Sequence, residues 1–187
     1  MSTHATTDLS TFDNRWYQPG RSLLVRTLWF LLNALLMQAR WLPSSGVRVR
    51  LLRWFGATVG QGVVIKPSVN IKYPWRLRIG NHVWIGEYAW IDNLADVTLG
   101  DHVCISQGAM LLTGNHDYKS TAFDLKIGAI TLENGVWIGA KSVVCPGVTC
   151  RSHAVLAVGS VATGELVPYT IYQGNPAQAI RLRNLHL

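Results

Sequence analysis

One histidine stands where a long rhythm breaks. The stretch Leu111–Asp117 reads LLTGNHD. Imidazole is the side chain whose ordinary titration falls near neutrality, so it suits a general base. His116 lies five places after apolar Leu111. That spacing turns its side chain outward, into reach of solvent and ligand, and disfavours a buried, satisfied histidine. The repeat then reads as a scaffold, His116 as the base, and the polar loop over 117–130 as a protrusion whose residues Tyr118–Ala129 wall the site. Asp117 is a candidate to orient either the loop or the imidazole.

The other chemistry-bearing residues carry less. His82 and His102 occupy equal places in successive repeats and should stack on one face as surface structure. His153 sits on a late turn, and His4 and His186 lie near the termini. Cys104, Cys145 and Cys150 are odd in number and lack CxxC spacing, so they read as reduced packing residues of a cytoplasmic protein. The first twenty residues are too polar for a signal peptide.

The elements that must position His116 follow from periodicity. From Val59 an apolar residue leads each group of six: Val59, Ile65, Ile71, then Ile79, Ile85, Ile91, then Leu99, Ile105, Leu111. After the loop the leads resume at Leu132, Ile138, Val144, Cys150, Leu156 and Ala162. A helix needs a period near 3.6 and a flat sheet a period of 2. A sustained period of six predicts a solenoid: mainly β, a parallel β-helix of about five triangular coils.

Ahead of it, residues 1–20 read as an extended arm lying on the body, and 21–58 as a helical segment broken at Pro43-Ser44-Ser45-Gly46. Residues 59–176 form the repeat and 177–187 a tail. Leu23–Met37 is almost wholly apolar, but Arg26 and Asn33 interrupt it, and a bilayer span needs about 20 apolar residues. The chain carries +7. Through residue 53, seven arginines face Asp8 and Asp13, so +5 of that charge is N-terminal and the body is near neutral. This distribution argues against a nucleic-acid groove. It leaves the helices to cap the repeat, or to cap it while touching an anionic membrane surface.

The hexads, with NHVWIGEYAWIDN, CISQGAMLLTGNHDY, GVWIGAKSVVCPGVT and YQGNPA, resemble the hexapeptide-repeat acyltransferases. Together with FDNRWYQPG and the helices after it, they are similar to the exopolysaccharide branch, the colanic-acid-type O-acetyltransferases. Maltose, galactoside and Nod-factor acetyltransferases are more distant. The resemblance implies a left-handed helix, where general crossover rules favour the right. It also implies a homotrimer, acetyl-CoA as co-substrate, and no metal.

His116 matches the family's catalytic histidine. For acetyl-CoA the resemblance implies Trp137, Ala140, Val158, Gly159 and Thr163 along a groove between subunits, with Arg181 near the nucleotide phosphate. Gly164, Val158, Cys150 and Ala162 depart from the family's usual residues. For the acceptor, the family's asparagine position reads Gly86, and Asn93, Asp92, Asp13 and Glu87 are the substitutes. Asn93 is the first choice, its alternative role being to cap a turn.

The reading is O-acetylation of a sugar hydroxyl in exopolysaccharide synthesis. The acceptor is a sugar or lipid-linked oligosaccharide, met by a cytoplasmic enzyme in peripheral contact with the inner membrane. Two alternatives remain: acetylation of a soluble sugar, serine or antibiotic, and a noncatalytic β-helix scaffold.

Overall fold

The computed structural model describes residues 4–186; residues 1–3 of the arm and Leu187 of the tail lie outside it. The hexads form five coils of three short strands. The first is β1 (Thr58–Val59), β2 (Val64–Ile65) and β3 (Asn70–Ile71), and the second β4 (Leu77–Ile79), β5 (Trp84–Ile85) and β6 (Trp90–Asp92). The third is β7 (Val97–Leu99), β8 (Cys104–Ile105) and β9 (Met110–Leu112). A hairpin of β10 (Gly114–His116) and β11 (Leu125–Ile127) then leaves the repeat. Coil four is β12 (Ile130–Leu132), β13 (Trp137–Ile138) and β14 (Val143–Val144); coil five is β15 (Thr149–Cys150), β16 (Val155–Leu156) and β17 (Val161–Ala162). A sixth turn begins at the Cys150–Leu166 bridge and continues in β18 (Thr170–Gly174), on which β19 (Ala177–Leu182) folds back antiparallel. The residues read from sequence as a tail therefore supply a strand.

Stacking the coils gives three parallel sheets: face A (β1, β4, β7, β12, β15), face B (β2, β5, β8, β13, β16, β18, β19) and face C (β3, β6, β9, β14, β17). The leads Ile65 to Ala162 point inward and are almost fully buried, and they form one continuous core. Successive corners nearly touch. A Cβ on Gly80 would lie 2.7 Å from the backbone of Gly100, so the stack demands glycine there. At the A/B corner, side-chain amides and carboxylates replace missing strand hydrogen bonds. Gln61 N donates to Asn81 Oδ1, Asn81 N to Asp101 Oδ1, and Asp101 N to Asn134 Oδ1. The rings of His82 and His102 stack beside this column, 5.2 Å apart.

A solenoid's first coil leaves strand edges bare, which is costly if they are buried and unpaired. Helices α1 (Leu23–Leu32) and α2 (Ser45–Trp54) close all three edges. On face A, the Arg53 guanidinium donates to the carbonyls of Val59 and Gly60. On face B, Ser45 Oγ accepts from Ile65 N at 2.8 Å and donates to Val63 O. On face C, Trp29 Nε1 donates to Ile71 O at 2.8 Å, and Asn33, on the π-helical turn Asn33–Met37 after α1, bonds Asn70.

Arg48 fills the space between the two helices. Fully buried, it donates to the carbonyls of Met37, Ala39, Leu42 and Ser44. So Arg48 and Arg53, counted from sequence as part of a basic surface, are spent on backbone oxygens. Among the described residues no helix is long and apolar enough to cross a membrane.

Replacing Arg48 with Met keeps bulk but strands those carbonyls, at about 1–3 kcal/mol for each that stays buried. The Arg48→Met variant should show a lower midpoint in denaturant titration. An unchanged midpoint would mean that the arginine is not the cap.

Candidate functional site

His116 stands where the chain leaves the repeat, on the first strand of the hairpin, paired with Leu125. The neck closes where Gly128 N donates to Thr113 O, and buried Thr113 bonds Asp92 O and Ala95 N through its hydroxyl. Across the hairpin, Lys126 Nζ meets Asp117 at 2.8 Å. That lysine, with the Lys119 amide, holds the Asp117 carboxyl below its ordinary range. Asp117 thus ties the hairpin rather than the imidazole.

The imidazole is oriented by the hairpin's own turn. His116 Nδ1 lies 2.8 Å from the carbonyl oxygen of Phe123. A carbonyl only accepts, so Nδ1 carries the proton and the neutral ring's lone pair sits on Nε2. The Phe123 ring stacks on the imidazole, 4.4 Å away and inclined by 8°. Phe123 has φ +54°, an unfavourable backbone for an aromatic residue, and it turns both carbonyl and ring onto His116. Nothing in the sequence pattern marked Phe123.

The N-terminal arm supplies the opposite side. Phe12 packs against the imidazole at 5.5 Å. The arm is held by Asp8 N donating to Thr121 O, Tyr17 Oη to Leu94 O, and Trp75 Nε1 to Pro19 O. Burial and the nearby Tyr73 push the Tyr17 phenol up to about 12. Between arm, hairpin and helix lies a cavity of about 600 Å³, onto which His116, Phe12, Tyr17, Arg26 and Lys72 face.

The acceptor residues expected from sequence do not gather there. Asn93 is fully buried, accepting from Tyr73 N and donating to Tyr73 O, so its whole amide clamps one coil to the previous one. The turn-capping alternative is the one the geometry supports. Asp13 is gripped by Arg15, whose hydrogen bonds hold the carboxyl down at about 2, and it does not line the His116 cavity. Asp92 sits 2.9 Å from Lys72 and lines a neighbouring cavity of about 440 Å³ under α1. Glu87 faces Lys66 at the B/C corner, away from the hairpin.

The residues expected at acetyl-CoA divide between corners. Gly159 N donates to Ala140 O, so Ala140, Val158 and Gly159 stack at the B/C corner. The half-exposed Trp137 indole stands on face B next to it, held by Ser106 Oγ. A Cβ on Gly159 would meet nothing within 4 Å, so this corner is an open ledge beside an aromatic wall, which suits a slender pantetheine arm. Arg181 lies on β19 at the far end of face B. Thr163 follows β17 at the C/A corner, the one from which the His116 hairpin leaves. The cysteines are free thiols, all with titration pushed up by burial, Cys150 to about 12, which fits packing rather than nucleophilic roles.

No protein-family model matches the chain. Over 179 residues it is 36% identical to the Escherichia coli (strain K12) protein named "Putative colanic acid biosynthesis acetyltransferase WcaF", covering 94% of this chain and 97% of that one. It is 31% identical over 138 residues to the galactoside O-acetyltransferase of the same organism, covering 72% of this chain and 68% of that one. Its fold matches a hexapeptide-repeat-containing acetyltransferase of Vibrio cholerae O1 biovar eltor solved with acetyl coenzyme A. The TM-score is 0.77 at 27% identity, over 86% of this chain and 88% of that one. Likeness of this extent, on the same solenoid, makes the protein a member of the hexapeptide-repeat acetyltransferases, left-handed β-helix enzymes that draw their acetyl group from acetyl-CoA.

Proposed function

We propose that the protein O-acetylates a sugar hydroxyl, with His116 as general base, in the synthesis of an exopolysaccharide. The observation that carries this is the Phe123 carbonyl on Nδ1, which leaves Nε2 unprotonated and without a protein partner among the described residues. A sugar hydroxyl is a poor nucleophile at neutral pH. Nε2 takes its proton as the oxygen attacks the thioester carbonyl; the C–S bond breaks and the thiolate leaves with a proton. Acetyl-CoA supplies the activated acetyl group.

His116→Ala should lower the rate by about 10²–10⁴ while leaving coenzyme A affinity unchanged. A loss under threefold would remove His116 from the mechanism.

The functional assembly is a homotrimer. In one chain the hairpin leaves from the C/A corner, while Ala140, Val158 and Trp137 belong to the B/C corner and face B. A full face of the prism separates them, so His116 of one copy works beside the ledge of a neighbour. Light scattering should give three copies per particle. A stable monomer that turns over acetyl-CoA would overturn this arrangement.

A lipid-linked acceptor and peripheral contact with the inner membrane are favoured by one surface. Leu23, Leu24, Phe30, Leu31 and Leu35 stand exposed along α1 and the turn after it, with Trp41 and Trp54 nearby. Arg21, Arg40 and Arg50 in the same helical segment are also exposed, and each basic residue near an anionic leaflet contributes about 1 kcal/mol. Deleting residues 21–55 would bare the strand edges, so point changes are the cleaner test. The full-length protein should cosediment with phosphatidylserine-containing vesicles at low salt, and Leu24→Glu with Leu31→Glu should release it without lowering its melting temperature. No binding at low salt would leave the helices as caps alone.

A further inference from the structure

The cavity holding His116 and the cavity under α1 share Arg26, Lys72 and Tyr73. This junction is electropositive. Arg26 is half-buried on α1, and among the described residues its guanidinium has no carboxylate and no carbonyl partner. Arg48 and Arg53 on the neighbouring helix commit their donors to backbone oxygens. A half-buried guanidinium without such partners has lost part of its hydration and gained nothing in return, a state that a bound anion relieves.

Lys72 is poised similarly. Its Nζ lies 2.9 Å from Asp92 Oδ1, a contact that engages one of the three ammonium hydrogens and leaves two for a further anion. Among the described residues no carboxylate lines the His116 cavity, and Asp92 is the one acidic group lining the other.

We infer that this junction is a phosphate subsite and that the acceptor is a glycosyl diphosphate. The inference rests on the reading of His116 as the base. The sugar occupies the His116 cavity, the phosphates sit on Arg26 and Lys72, and the remainder of the acceptor lies under α1. A guanidinium fork matches two phosphate oxygens at once. A neutral sugar would leave Arg26 unpaired. Nucleotide sugars and lipid-linked sugars both present this diphosphate, and the far cavity, lined by Leu23 and Phe30, opens toward the apolar surface of α1.

The test is calorimetric titration of the full-length protein, with coenzyme A saturating so that its own phosphate contacts are filled. The titrants are inorganic pyrophosphate, UDP-galactose, galactosyl farnesyl diphosphate and free galactose. Pyrophosphate should bind, and Arg26→Gln and Arg26→Ala should each weaken it by about tenfold or more, with Arg26→Lys recovering part of the loss. Free galactose should be indifferent to these changes. Tighter binding of the farnesyl compound than of UDP-galactose assigns the lipid-linked source, and the reverse order assigns the nucleotide sugar; either supports the subsite. Absent pyrophosphate binding, or equal binding by wild type and Arg26→Gln at equal melting temperature, overturns it. Because these are binding readouts, an undiminished acetyl-transfer rate in His116→Ala would be seen separately and would count against the reading of His116 as the base instead.

Discussion

The structure depends on one constraint: each coil must hydrogen-bond the next with almost no room at the corners. Parallel ladders run through all three faces, and Gly80 abuts Gly100 so closely that a methyl group has no place. A ladder of this kind is self-consistent in its middle and unsatisfied at its ends. The first coil is therefore closed by donors and acceptors from outside the repeat, Arg53, Ser45, Trp29 and Asn33, one set for each face. At the other end β19 folds back on β18. The helical segment is thus bound to the solenoid by the same rule that builds it. This explains how α1 can leave so many leucines exposed while staying anchored through one tryptophan and one asparagine.

The same constraint determines where chemistry can be added. An extra residue inside a strand would turn its lead out of the core, so additions sit at corners: Ile71 to Ile79 and Ile91 to Leu99 each span eight residues at the C/A corner, and the largest addition leaves and returns at one point of that same corner. Thr113 and Gly128 make that point, and β12 rejoins face A beside β7 as if nothing had intervened. The hairpin between them is free of the repeat's spacing. Its antiparallel pairing and the Asp117–Lys126 ion pair tie it together by other means, and Phe123 takes up in it the left-handed backbone that His82 and Tyr88 adopt at the coil corners. Strain of this kind persists where surrounding contacts over-determine it. Here those contacts are the imidazole stack and the arm.

The scaffold was legible because its period is enforced at every coil. The leads from Ile65 onward are buried, and the equal spacing of His82 and His102 does produce a stacked pair. His116 could be singled out because it lies just outside the period. Its surroundings could not, since they come from segments distant in sequence. Phe12 and Tyr17 arrive with the arm, Arg26 with α1, and Phe123 from across a turn. Charge counting misled for a related reason: Arg48 reads as surface from its neighbours, but its role is decided by the carbonyls of a helix end eleven residues earlier. Asn93 misled because an amide that suits a sugar hydroxyl suits a backbone equally well, and the coil beneath it presented one.

The parts of the chain that escape the repeat converge on one corner. The arm, the hairpin and the first turns of α1 all meet where face C turns into face A, and the cavities lie between them. The solenoid contributes Lys72 and Tyr73 as a fixed floor, from a coil whose position the ladder dictates. Each covering element is held by few contacts: the arm by hydrogen bonds to Leu94, Thr121 and Trp75, the hairpin by its neck and its ion pair. Changing the arm or the hairpin therefore costs the core little, whereas α1 is tied into the core through buried Trp29. With the acceptor placed as proposed, a rigid floor with separately replaceable walls would let its recognition change independently of the ledge at Ala140 and Val158. That ledge belongs to the ladder, so its shape is bound to the stability of the fold in a way that the acceptor's walls are not.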